Sequence, residues 1–232
     1  MLRRRTILKA AETPTGDLNT KLLLHFDGSV VDASPYSVPV LAEAGTSFAA
    51  GKFGQGFIGK NISSAADPSP VSTPDGYISD IIKGDFTFEC WFEESTISNT
   101  AGASLITTAI NSGGSRFAFG VGVSSKYNIP PLSRSITVTE GFTGSYSPIV
   151  GSVVDASYLS GWCHLALTRQ GSVLRLFLNG TLVGVNNSYT YDGTGNDGVR
   201  TYIGIDTTLI DELRISNIAR WTANFTPPAA PY

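Results

Sequence analysis

Trp162-Cys-His-Leu-Ala-Leu-Thr-Arg169, Val173-Leu-Arg-Leu-Phe-Leu178, Asn179-Gly180 and Thr181-Leu-Val-Gly-Val185 form the stretch that decides the fold. Each run is short, apolar and closed by a turn signal, which is the pattern of strands. Gln170-Gly171 turns the first run into the second. Asn-Gly supplies the positive φ that both central positions of a type I′ turn require, so it predicts a two-residue hairpin and fixes its register. Val173–Leu178 is apolar on both faces, as expected of a strand near the middle of a sandwich.

The same grammar extends outward. Val199-Arg-Thr-Tyr-Ile-Gly-Ile205 and Leu209-Ile-Asp-Glu-Leu-Arg-Ile215 read as strands, and Tyr189 to Asp197 as a Gly/Asn/Asp loop. Asn217 to Phe225 predicts one helical turn, stopped by Pro227-Pro228. Upstream, Phe86-Thr-Phe-Glu-Cys-Trp-Phe92 puts Phe86, Phe88, Cys90 and Phe92 on one face and Thr87, Glu89 and Trp91 on the other. Ser104–Ala109 and Phe117–Val123 are further strands, and Gly76-Tyr-Ile-Ser79 reads as a short one. Leu22-Leu-Leu-His-Phe26 is a buried opening strand ended by Asp27-Gly28. Gly51-Lys-Phe-Gly-Gln-Gly-Phe57 is a tight bend leading into a strand. It lacks the Lys-Ser/Thr ending of a phosphate loop, and no helical pattern follows. Tyr127 to Ser160 is less regular, with strands expected around Ile136 and near Val153.

Composition agrees. The chain has 232 residues with 25 Gly, 12 Pro and 15% charged residues, a balance that many short strands and punctuated turns produce. A chain of this length buries about 70% of its unfolded surface. No solenoid repeat is present. The expected organisation is an extended arm over residues 1–20, one domain over 21–226 and a tail over 227–232. The net charge of -3 gives no global attraction to nucleic acid or to an anionic membrane. No apolar stretch approaches the roughly 20 residues that span a bilayer. Met1-Leu-Arg-Arg-Arg-Thr-Ile-Leu-Lys9 nearly spells a twin-arginine export signal, but Ala10 to Asp17 supplies no apolar segment. Cys90 and Cys163, each beside a tryptophan, read as small apolar core thiols. His25 and His164 read as strand residues with hydrogen-bonded rings.

From Leu22 to about Phe225 the landmarks resemble the laminin-G-like jelly roll of the concanavalin A-like lectin and glucanase superfamily. Those landmarks are Phe26-Asp27-Gly28, the Gly51–Phe57 segment, Phe86–Trp91, Trp162–Arg169 followed by Leu176-Phe-Leu-Asn-Gly180, and Ile210-Asp-Glu-Leu-Arg-Ile215. The resemblance implies an all-β fold: a two-sheet antiparallel jelly-roll sandwich. Arg214-Ile-Ser-Asn-Ile-Ala-Arg-Trp-Thr-Ala-Asn-Phe-Thr-Pro-Pro228 is similar to copies of this domain in tailed-bacteriophage virion proteins.

Glucanase members of the superfamily carry two Glu and an intervening Asp on one strand face. Here Glu89 and Glu93 share a face but Trp91 stands between them, so catalysis is not expected and the two read as solvated edge charge. No Gly-x-Ser-x-Gly elbow is present. Relatives often hold calcium near the acidic residue of the closing strand, which by resemblance implicates Asp211, Asp27 and the nearby Asp32. The alternative for Asp211 is to cap loop amides and pair with Arg214 or Arg200. Sugar recognition needs an aromatic platform with a few fixed polar groups, for which Tyr189, Tyr191 and Trp221 are the candidates.

The first expectation is therefore a non-enzymatic bacteriophage virion protein, a capsid decoration or tail component assembled in the host cytoplasm. It would dock on other virion proteins, as an oligomer or array, through Arg3, Arg4 and Arg5 of the arm. The alternative is a carbohydrate-binding adhesion module for host-surface glycans, with calcium as its candidate cofactor.

Overall fold

Asn179 and Gly180 both adopt left-handed backbone, with φ of 49° and 76°, in the computed structural model of the chain. The hairpin thus forms as its residues dictate. The structure describes residues 17–59, 71–93, 103–109, 119–125, 133–140, 147–155, 161–190, 200–205 and 209–232. The elements run β1 (Thr20–Leu24), β2 (Leu41–Ala42), β3 (Ser47–Ala50), β4 (Gln55–Ile58), β5 (Val71–Ser72) and helix α1 (Tyr77–Ile82). They continue with β6 (Phe86–Glu93), β7 (Ala103–Ala109), β8 (Phe119–Ser125), β9 (Ser133–Glu140) and β10 (Ser147–Asp155). The last are β11 (Trp162–Gln170), β12 (Val173–Leu178), β13 (Thr181–Asn186), β14 (Arg200–Ile205) and β15 (Leu209–Ser216).

These strands make two antiparallel sheets. One is ordered β13-β12-β11-β6-β15-β4-β3, with β1 also paired to β15; the other is β10-β9-β8-β7-β14-β5-β2. This is the jelly-roll sandwich expected. The opening and closing strands are neighbours, with Leu24 opposite Leu213. The core lies between the sheets. Phe86, Phe88, Cys90 and Phe92 of β6 point into it, as the alternation requires, and join Ile106, Ile136, Val138 and Ile203 of the facing sheet. Each such side chain contributes roughly 1.5–3 kcal/mol by leaving water. Cys90 and Cys163 are both buried in the core, and burial pushes the Cys90 pKa up.

Two local expectations differ from what forms. Gly76–Ser79 is not a strand: Tyr77–Ile82 is one and a half turns of helix, with Ile78 and Ile82 both buried. That i, i+4 pair is the helical period, but a segment this short shows it only once. Asn217–Phe225 is not a helical turn. It runs as a strap across the outer face of the first sheet, whose hydroxyls and carbonyls satisfy its backbone. Thr87 Oγ1 donates to Ile218 O at 2.7 Å and accepts from Arg220 N at 2.8 Å. Thr168 Oγ1 donates to Trp221 O at 2.8 Å, and Phe225 N donates to Gly180 O at 2.9 Å.

Candidate functional site

The three acids expected to hold calcium go to different tasks. Asp32 is buried, and both its oxygens are filled. Oδ1 accepts from Leu23 N and Ser34 N at 2.9 Å each, and Oδ2 accepts from Ser34 Oγ and Val38 N at 2.7 Å each. Asp27 and Asp211 grip the Gly51–Gln55 bend from two sides. Asp27 Oδ1 accepts from Gln55 N at 2.7 Å, and Asp211 Oδ2 accepts from Phe53 N at 2.8 Å. The glycines admit this approach: a Cβ on Gly54 would stand 2.2 Å from Asp27 Oδ1, and one on Gly51 2.7 Å from Asp211 Oδ2. Burial, with like charge on Glu212 and Asp27, pushes the Asp211 pKa up to about 7. Its Oδ1 is buried without a hydrogen-bond partner among the described residues. Calcium takes six to eight oxygens, yet among the described residues no group of three or more His, Cys, Asp or Glu side chains gathers. Asp211 does cap a loop amide, but Arg214 and Arg200 pair elsewhere, with Glu89 and Asp75.

The closing strand explains how Asp211 and Arg214 reach the same face. Strict alternation would put them on opposite faces. Instead Asp211 lies opposite Trp91 and Arg214 opposite Glu89, with a bulge between them, and Glu212 takes φ of 50°. The extra residue resets the alternation. Leu213 and Ile215 point into the core, and Glu212 turns to hydrogen-bond His25 Nδ1 at 2.8 Å.

Glu89 is not solvated edge charge. It is fully buried, and Oε1 accepts from Arg214 Nε and Nη2 at 2.9 and 2.7 Å. Oε2 accepts from Trp221 Nε1 at 2.8 Å, with His164 Nε2 3.6 Å away. The strap seals this network. Trp221 stacks on Phe225 with centroids 3.9 Å apart and planes at 8°, Phe225 packs edge-on to His164, and Arg214 lies 3.7 Å from the Tyr232 ring centroid. Burial lowers the His164 pKa to about 4. A glycosidase carboxylate must face sugar and water; Glu89 faces its own chain and is not placed for that role. His25 and His164 carry hydrogen-bonded rings, as expected, although His25 stands just beyond β1.

The expected aromatic platform is likewise engaged internally. Trp221 belongs to the strap, and Tyr189 is only 3% exposed with the Arg169 guanidinium over its ring. Tyr191, and Arg3, Arg4 and Arg5, lie outside the described residues.

One cleft was not anticipated from the sequence. Beside β1, α1 and the loop after Asp32 is a cleft of about 470 Å³ lined by Lys21, Tyr36, Tyr77, Asp80, Asp85 and Asn217. Asp32 organises that loop, and Ser34 Oγ, which it holds, accepts from Tyr36 N at 3.3 Å. Tyr36 keeps 45% of its surface exposed. Its hydroxyl donates to Leu18 O at 2.8 Å and accepts from Lys21 Nζ. The Lys21 ammonium lies 3.9 Å from the ring centroid. Tyr77 donates its hydroxyl to Lys21 O at 2.5 Å, and burial pushes its pKa up to about 12. Both rings are thus fixed by their own hydroxyl groups. Asp80 Oδ1 accepts from Lys83 Nζ at 2.9 Å and Asp85 Oδ1 from Gly171 N at 2.7 Å. The sequence signal was the turn segment Asp32-Ala-Ser-Pro-Tyr36, which presents an aromatic at its end.

The fold is a two-sheet jelly roll with a cleft walled in part by Tyr36 and Tyr77. Residues 67–224 match the laminin G form of the concanavalin A-like lectin/glucanases superfamily, and the chain belongs to that superfamily. No curated protein matches it in sequence. Among solved structures it is similar to a receptor-binding domain at 17% identity and a TM-score of 0.62, covering 87% of this chain and 48% of that one. It is similar to the binding domain of botulinum neurotoxin DC in complex with SialylT at 18% identity and a TM-score of 0.61, with the same coverage. It also resembles domain 4 of AbnA, an extracellular arabinanase from Geobacillus stearothermophilus, in complex with arabinotriose. Identity there is 14% and the TM-score 0.59, covering 87% of this chain and 93% of that domain. The chain spans about half the length of these two binding domains.

These likenesses overturn the expectation of a bacteriophage virion protein, with virion proteins as partners and the virion as location. The solved structures that share the fold include binding domains of a botulinum neurotoxin, not virion proteins. The physical reason lies in the strap. The Arg214–Pro228 segment that suggested a virion protein closes the outer face of the sheet through Arg214, Trp221 and Phe225. That task belongs to the fold, so its motif says nothing of where the domain works.

Proposed function

We propose that this domain is a non-catalytic carbohydrate-binding module that engages cell-surface glycans. The observation that carries the reading is the cleft at Tyr36 and Tyr77. Two rings held rigid by their own hydroxyl bonds, Tyr36 with the Lys21 ammonium over one face, stand beside carboxylates and an amide and supply an aromatic wall with fixed polar partners. Rings already held in place lose little further freedom on binding. Solved complexes of similar folds with arabinotriose and with SialylT support the class of ligand.

A glycan array probed with the wild-type chain and with Tyr36→Ala tests it. Glycan binding that weakens at least tenfold in the variant is the expected outcome. Equal binding by both, or none by either, would rule the reading out. Because Asp27, Asp32 and Asp211 do not form a cage, binding is expected to survive a calcium chelator; loss in chelator would return those residues to consideration.

A further inference from the structure

We infer that the Tyr36–Tyr77 cleft selects neutral, hydroxyl-rich saccharides and rejects sialylated ones. The inference rests on the carbohydrate-binding reading and narrows it to a chemical class.

The cleft's charged lining residues are one cation and two carboxylates. The cation is engaged: Lys21 Nζ donates to Leu18 O at 3.1 Å and to the Tyr36 hydroxyl, and it lies against the Tyr36 ring. Drawing it toward an anion would break these contacts. The carboxylates differ. Asp80 has one oxygen on Lys83 and Asp85 one on a backbone amide, which leaves each a second oxygen. An ionised carboxylate is an acceptor only. The cleft therefore asks its ligand for donors. Sugar hydroxyls meet that demand, while a sialic acid carboxylate brings another acceptor and another negative charge. Lys83 answers Asp80, and Arg169 nearby donates to the carbonyls of Gly171, Ile82 and Lys83, so an anion entering beside Asp85 meets a carboxylate whose hydrogen bond among the described residues is to the Gly171 amide.

Calorimetric titration of the full chain against neutral oligosaccharides and their sialylated counterparts tests this, using wild type, Tyr36→Ala and Asp85→Asn. We expect neutral sugars to bind at least tenfold tighter than the sialylated forms. Asp85→Asn should weaken neutral binding by about tenfold, the loss of one charge-assisted hydrogen bond, and narrow the discrimination. Sialylated sugars that bind as tightly as neutral ones, with a Tyr36→Ala-sensitive signal, would overturn the inference and leave the carbohydrate reading standing. If no saccharide binds, or if Tyr36→Ala changes nothing, both go together. Tyr36 lies at the surface, so its removal leaves the core intact, and matching melting temperatures would verify that.

Discussion

At the scale of single residues, two buried groups set opposed pH responses. The pKa of Asp211 rises to about 7 in the fold against the usual 3.8. Stability from this group is therefore fully present below about pH 4 and is lost as pH rises through about 7. His164 falls to about 4 from 6.5, so its contribution is present above pH 6.5 and is lost as pH falls toward 4. The two slopes cancel in part across the shared window. The informative quantity is the melting temperature of wild type minus that of Asp211→Asn, which should fall steadily between pH 4 and pH 7. A flat difference would mean Asp211 ionises normally. Glu89 offers a second test. Removing its charge strands Arg214 under the strap, and breaking a buried pair in this way costs about 3–5 kcal/mol. Glu89→Gln should show that loss in urea unfolding; a cost below 1 kcal/mol would mean the network is better solvated than its geometry. Neither role was legible beforehand. Glu89 and Arg214 stand 125 residues apart in the chain, and a carboxylate reads as solvated until its partner is known.

At the scale of elements, the Asn179-Gly180 turn was legible because its cause is local, two adjacent residues that tolerate positive φ, while the register shift between Leu176 and Phe177 was not. What the turn touches was not. A Cβ on Gly180 would stand 1.9 Å from Phe225 O, whereas one on Gly171, also at positive φ, would meet nothing within 4 Å. Gly171→Ala should therefore cost only the backbone strain, about 1–2 kcal/mol. Gly180→Ala should cost more and should also shift Trp221 fluorescence, since the strap must lift. Equal costs for the two substitutions would show that the strap gives way freely. The closing strand teaches the same lesson. Its strand character is plain in Leu209–Ile215, but the bulge that sends both Asp211 and Arg214 outward is set by pairing with β6. Helix α1 escaped notice because six residues display the helical period once.

At the scale of the whole molecule, the strap decides which faces remain available. It covers the outer side of β6, β11 and β15 through Thr87, Thr168 and Glu89. That leaves the cleft beside β1 and α1 as the described recess with aromatic walls. Removing residues 217–232 should uncover Trp91, His164 and Glu89 together. The shortened chain is expected to melt at lower temperature and to bind a hydrophobic dye, while Tyr36 keeps its position. Dye binding and melting like those of the full chain would mean the strap adds little to the sheet.

The amino-acid order alone determined the class of fold, most strand positions and the tight turn of the hairpin, because alternation and turn chemistry act between near neighbours. It also determined that Glu89 and Glu93 lack the residue a glucanase sets between them. Tertiary structure decided the rest. It made Asp32 the organiser of a loop, made Trp221 a cover for a buried ion pair, and brought Lys21, Tyr36, Tyr77 and Asn217 to one cleft. Such roles depend on which distant groups share a space, and no local pattern carries that information.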